Sequence, residues 1–211
     1  GSGVSWGFQF GATNDWDAIA TWGSSNYQAG CSDTSGNAWA LTTSGGQRLR
    51  KWTPGGAAPG SWAITCNSAG SHGNDLCYDS DNDLILGLSC GNGVTGSGMN
   101  GAIYTSGGVT KTNLTLAGSG LAQMESDLPF GTSIVYDRFN GCFWYYCGDG
   151  TSRVYKMVLS GSTLTITLPT LTGATIPNRV SAHGRMILLD DYKTLVFMPS
   201  GTKNLYAMRI A

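Results

Sequence analysis

The chain carries few residues able to do chemistry, and their spacing decides what they can do. Its only two histidines, His72 and His183, are each followed by glycine, and Phe130-Gly131 is a third dipeptide of the same kind. Each stands seven and six residues before an aspartate: Asp79, Asp190 and Asp137 respectively. Two imidazoles facing one another offer two of the roughly four donors that a bound zinc ion takes. No carboxylate recurs at a spacing that would supply the others, and Phe130 shows that the position accepts an apolar ring. His72, His183 and Phe130 are therefore expected to pack over the mouth of a channel, with no metal ligand set and no cofactor.

Asp79-Ser80-Asp81-Asn82-Asp83 places oxygen donors at alternate positions, as a calcium loop begins. The match then fails, because Leu84 falls where such a loop needs Gly and Cys90 where it needs a bidentate Glu. The expectation is a polar hairpin turn in which Asp79 accepts backbone N–H bonds, with Asp137 and Asp190 doing the same in their own turns. Glycoside hydrolysis needs a pair of carboxyl groups about 5–10 Å apart. Glu125 is the sole glutamate, and turns claim most aspartates. There is no Gly-x-Ser-x-Gly elbow followed by Asp and His. The glycine-rich stretch 91–98 has no lysine, which excludes a phosphate loop. No catalytic residue is assigned.

Aromatic rings beside amides and carboxylates suit sugar recognition, since a ring face stacks on the sugar while polar groups bond its hydroxyls. Trp16 lies between Asp15 and Asp17, and Trp22, Tyr27 and Trp52 also fall outside the repeated strand phrases. These six residues form the candidate ligand-binding set. Trp39 and Trp144 sit at second-strand core positions instead.

What must position these residues is a repeated phrase: an apolar strand ending in Asp, a tight polar turn, and a second apolar strand. It runs Leu76–Asp79 into Leu84–Leu86, Ile134–Asp137 into Cys142–Trp144, and Ile187–Asp190 into Leu195–Phe197, with a weaker copy at Cys31–Asp33 into Ala38–Ala40. The aspartates are 46, 58 and 53 residues apart, the period of a repeated β-unit. In the third unit, 133–137, 142–147, 153–159 and 164–168 read as four strands, joined through Asn140-Gly141, Gly148-Asp149-Gly150 and Ser160-Gly161, whose glycines supply the positive φ that hairpins need. Fourth strands are expected at Trp62–Thr65 and Thr112–Leu116. Leu121–Ser126 is the sole helical candidate.

Composition agrees with such a fold. Of 211 residues, 41% are hydrophobic and only 12% charged, with 32 glycines, against about 25% charged and 7% glycine in ordinary domains. Net charge −1 gives no footprint for nucleic acid, and no apolar run is long enough for membrane insertion. The chain opens Gly1-Ser2-Gly3 with no signal-peptide pattern. Low charge with abundant Gly and Ser suits an extracellular or virion-surface β-protein. The six cysteines recur at apolar repeat positions, so most are expected to be reduced core thiols.

The phrase resembles the blade repeats of kelch-like and related β-propellers over residues 26–211, which implies blades of four antiparallel strands. The expected fold is all-β: one propeller domain over 1–211, with a closing segment at 1–25 and four units at about 26–70, 71–127, 128–178 and 179–211. The last unit has three strands, and Val4–Phe10, apolar at every second residue, is expected to complete it by pairing with Leu205–Ile210. The functional expectation is a non-catalytic binding or structural module that recognises a glycan or a partner protein and self-associates. The alternative is a carbohydrate-active hydrolase with carboxylates not yet assigned.

Overall fold

A computed structural model describes residues 3–8, 16–22, 27–42, 48–54, 60–67, 72–90, 99–107, 110–127, 133–146, 153–173, 186–198 and 205–210. Short runs rich in branched and aromatic residues, bounded by Gly, Asn and Asp, fold as strands throughout. A hairpin comes first, β1 (Gly3–Phe8) and β2 (Trp16–Trp22). The first sheet holds β3 (Tyr27–Ser32), β4 (Ala38–Thr42), β5 (Arg48–Pro54) and β6 (Gly60–Asn67) in chain order. The second holds β7 (His72–Asp79), β8 (Leu84–Cys90), β9 (Met99–Thr105) and β10 (Lys111–Asn113).

Next come β11 (Thr115–Ala117) and the short helix α1 (Leu121–Ser126). The third sheet runs β12 (Ser133–Asp137), β13 (Cys142–Tyr146), β14 (Val154–Ser160) and β15 (Thr163–Thr167), with β11 added beside β15. The fourth is β16 (Met186–Leu189), β17 (Thr194–Phe197) and β18 (Tyr206–Arg209). Every pairing is antiparallel except that of β11 with β15. Among the described residues no helix is long and apolar enough to cross a membrane.

The sheets stack face to face, with first strands in succession: β3 beside β7, β7 beside β12, β12 beside β16. Each neighbouring pair of sheets shares one core. Trp39, Leu41 and Leu49 meet Leu76, Ile85 and Tyr104 between the first and second. Leu86 and Leu88 meet Phe143, Tyr145, Met157 and Ile166 between the second and third, where α1 inserts Met124. Cys142, Trp144 and Tyr146 meet Leu195 and Phe197 between the third and fourth. Strand β13 is consequently buried at all five positions. Its unbroken apolar run Cys-Phe-Trp-Tyr-Tyr is what a strand covered on both faces requires. The Tyr146 and Phe197 rings meet edge-on at 5.1 Å, an arrangement worth about 0.5–1.5 kcal/mol beyond area burial.

Three expectations are corrected. Strand β1 does not complete the last sheet: Gly3–Phe8 pairs with Trp16–Trp22, and β2 lies beside β6 at the other end of the stack. A local hairpin closes a far shorter loop than a pairing of the two chain ends, at lower entropic cost. The run Thr112–Leu116 is not one strand. Leu114 N–H bonds Gly101 of the second sheet at 2.9 Å, while the next N–H, that of Thr115, bonds Ser162 of the third at 2.8 Å. One strand leaves its own sheet and edges the next.

The third correction concerns the fourth copy of the phrase. Asp79 pairs with Leu84 and Asp137 with Cys142, but in the fourth sheet the pair is Leu189 with Thr194, and Asp190 is the first residue of the turn. That turn is a single 3-10 turn closed by Lys193 N–H on the Asp190 carbonyl, with Lys193 at φ +46°. The fourth unit is thus one residue out of step with the phrase, and such a slip moves every side chain to the opposite face.

Candidate functional site

The repeated aspartates build turns. Asp137 Oδ1 accepts the N–H groups of Phe139 (3.1 Å) and Asn140 (3.3 Å), and its Oδ2 accepts Asn140 Nδ2 (2.7 Å) and Trp144 Nε1 (3.1 Å). Asp33 is bound in the same way by Ser35 and Asn37 N–H, Asn37 Nδ2 and Trp39 Nε1. Asp79 is held by Asp81 and Asn82 N–H and by Asn82 Nδ2. The asparagine three or four residues after the Asp is thus the second half of the motif, and the sequence reading passed over it. Its absence from the fourth unit, where Lys193 stands, accompanies the different turn there. Burial alone would raise the Asp33 carboxyl, but the bonds from Trp39, Asn37 and Ser35 outweigh it and hold the group below its ordinary value.

The oxygen-rich turn at 79–83 has its carboxylates engaged within the fold. Asp81 accepts Tyr136 Oη of the third sheet at 2.9 Å, while Asp83 accepts Tyr78 Oη at 2.6 Å and Ser106 Oγ at 2.5 Å. The Ser106 and Tyr78 hydroxyls keep the Asp83 carboxyl below its usual value. Burial, then the bond to Asp81, pushes the Tyr136 phenol up. Thr34 of the first sheet reaches Tyr78 of the second at 3.1 Å, and Arg138 of the third approaches Asp190 of the fourth at 3.9 Å. The turn ends therefore form a belt between successive sheets. Among the described residues no group of three His, Cys, Asp or Glu side chains could hold a metal ion.

The other sequence-selected residues are dispersed. Trp16, Asp17 and Trp22 lie in β2, Tyr27 opens β3, and Asp15, His183 and Phe130 fall outside the described residues. His72 opens β7 opposite Cys90. Trp52 is half-buried in β5, opposite Ala38 and Trp62, with a buried indole nitrogen. Glu125 Oε1 accepts the Met99 N–H at 3.3 Å and so ties α1 to the second sheet. Asp127 accepts Tyr155 Oη at 2.5 Å and Arg153 at 2.6 Å. Cys31, Cys77 and Cys142 are not in disulfides. Burial, then Asp33, pushes the Cys31 thiol up to about 12 and burial raises Cys142 to about 11, so both are protonated, inert thiols.

The structure brings its accessible chemistry together on the fourth sheet instead. Four cross-strand pairs occupy equivalent places in the four sheets: Cys31 with Trp39, Cys77 with Leu86, Val135 with Trp144, and Ile187 with Val196. The first three pack into the core shared with the following sheet. Ile187 is 53% exposed, and Leu189 and Ala207 on the same face are exposed as well. An interior kind of sheet face, apolar along β16 and β17, thus stands uncovered at the end of the stack, with Arg209 at its rim.

On the other side of this sheet a cleft of about 410 Å³ opens between β18 and the segment 169–172, with Trp144 and Lys156 on its floor. That volume lies within the range of ligand pockets. Lys156 stands opposite Trp144 in the sheet and its ammonium lies 5.8 Å from the indole centre. Lys51 and Trp39 repeat the arrangement in the first sheet at 5.1 Å. There the lysine also donates to the Ser106 carbonyl of the next sheet at 3.2 Å.

No family model and no curated protein matches the chain. Solved structures do. A nidogen/laminin complex contains a chain that superposes with a TM-score of 0.63 at 10% identity, over 94% of this chain and 66% of that one. A structural genomics protein of unknown function from Bacteroides thetaiotaomicron superposes with a TM-score of 0.54 at 9% identity, over 87% of this chain and 41% of that one. The chain therefore spans about two thirds of the first and two fifths of the second. Likeness at such identities is likeness of fold, and with the four stacked sheets, antiparallel apart from β11, it defines a β-propeller-like architecture. It does not extend to the kelch-like repeat in particular.

Proposed function

We propose that the chain is a non-catalytic binding module whose partner is protein, docked on the outer face of the fourth sheet, and that copies of the chain use this face on one another. The observation that carries the reading is Ile187, 53% exposed at the place where Cys31, Cys77 and Val135 are each covered by the next sheet. A sheet face that follows the interior pattern gains most by packing against a second sheet about 10 Å away. A two-fold contact lets one patch serve both partners. The similar chain is itself part of a nidogen/laminin complex, which supports a protein partner for this architecture. Low charge and high glycine content support an extracellular or virion-surface setting.

The test is sedimentation velocity over a concentration series, run beside a glycan array and a chromogenic glycoside panel on the same sample. Reversible association without glycan binding or turnover supports the reading. A chain that stays monomeric while it binds or cleaves glycans would refute it.

A further inference from the structure

A second site lies on the opposite side of the fourth sheet and goes beyond the face contact. The cleft there is lined by five consecutive residues, 206–210. Side chains of successive strand residues point to opposite faces, so a cavity touching all five touches the backbone edge of β18 and not one face of it. The other edge of β18 is paired with β17. Among the described residues no strand pairs with the cleft edge, and the sheet holds three strands where the first and second hold four. In the third sheet the neighbour of the equivalent strand is β15, whose Leu164 and Ile166 are fully buried against the second sheet. The cleft occupies the corresponding wedge of the fourth.

Its floor differs from that precedent. Where Ile103 of the second sheet packs towards the third, Lys156 of the third points into the cleft beside Trp144. Among the described residues that line the cleft Lys156 is the charged side chain and none is a carboxylate, Arg209 belonging with Leu189 and Thr194 to the outer face. In the first sheet the equivalent Lys51 is satisfied by an oxygen of the neighbouring sheet, the Ser106 carbonyl. The Lys156 ammonium lies beside the Trp144 ring, and among the described residues no carboxylate or carbonyl bond to it is seen.

We infer that the cleft binds an extended acidic peptide segment of a partner protein, added as a fourth strand to the free edge of β18. Backbone N–H and C=O groups of the segment pair with those of β18, which is the general mode of strand addition. One inward side chain of the segment is Asp or Glu, its carboxylate on the Lys156 ammonium, and its neighbours two residues away on that face are apolar and pack on Met208 and Leu171.

The probe is a fluorescein-labelled nine-residue peptide of alternating Thr and Val with a central Glu, followed by fluorescence anisotropy. Three relatives accompany it: one with central Lys, and two with N-methylated amides on one edge of the strand or on the other. The Glu peptide is expected to bind at least about tenfold more tightly than the Lys peptide. N-methylation is expected to abolish binding on one edge only. Lys156→Glu reverses the preference, and Lys156→Met, which keeps the packed stem, abolishes it if the Glu variant does not fold. Ile187→Asp leaves peptide binding unchanged, which separates this site from the face contact. Equal binding of the Glu and Lys peptides, no binding of either, or indifference to both N-methyl patterns overturns the inference.

Discussion

Leu189 stands opposite Thr194 across the turn of the fourth sheet, in the place that Asp137 and Cys142 take in the third. The four-residue turn between the partners is the same length in both, so the slip lies in the sequence and not in the hairpin. Asp190 is displaced into the turn. Ile187, not Leu188, becomes the equivalent of Cys77 and Val135, and Leu188 turns inward to the core shared with the third sheet.

The aspartates should therefore differ sharply when removed. Asp137→Ala strips the acceptor from the Trp144 indole and from two turn N–H groups, and should cost about 3 kcal/mol in urea unfolding. Asp190, partly exposed and 3.9 Å from Arg138, should cost less than about 0.5 kcal/mol as Ala. Equal losses would mean that Asp190 belongs to the motif after all.

Gly118 should not tolerate a side chain. It sits at φ +106°, and a Cβ there would collide with the Ile166 carbonyl of β15. The strand β11 and the helix that follows it reach the third sheet through this close approach. Gly118→Ala should lower stability by at least about 2 kcal/mol in thermal or urea unfolding. A neutral outcome would show that β11 does not hold the parallel register with β15.

Acid should weaken the fold partly through Asp33. Its carboxyl is held below the ordinary value in the folded chain, so its contribution is present above the unfolded value of about 3.9 and is lost as pH falls through the lower folded one. Unfolding free energy followed from about pH 5 down to about pH 2 should decline in the wild type and decline less steeply in Asp33→Asn. Parallel curves would remove Asp33 from the acid response.

Much of this fold was legible in the sequence. The period of the aspartates and the Asn-Gly and Ser-Gly turns located the strands of four sheets, whereas the Cys-Phe-Trp-Tyr-Tyr run was read simply as a second strand and its burial on both faces emerged with the structure. Two features were not legible because they depend on what lies beside a strand. Val4–Phe10 has the pattern of a half-buried strand, but pattern does not choose a partner, and β2 is nearer in sequence than β18. The change of sheet between Leu114 and Thr115 leaves no mark in residue type, since both neighbours offer the same backbone carbonyls. The candidate site was missed for a related reason: Ile187 looks like any core residue of the repeat, and only its 53% exposure shows that among the described residues no sheet covers it. Trp39 and Trp144 were correctly placed in the core, but their bonds to Asp33 and Asp137 were not foreseen.

The central claim, that the outer face of the fourth sheet is a protein-docking surface, is tested most directly by sedimentation velocity of the wild type and Ile187→Asp across the same concentration range, with circular dichroism showing that both are folded. The wild type should associate with rising concentration, and Ile187→Asp should remain monomeric at every concentration. A wild type that never associates, or a variant that associates as well as the wild type, would contradict it.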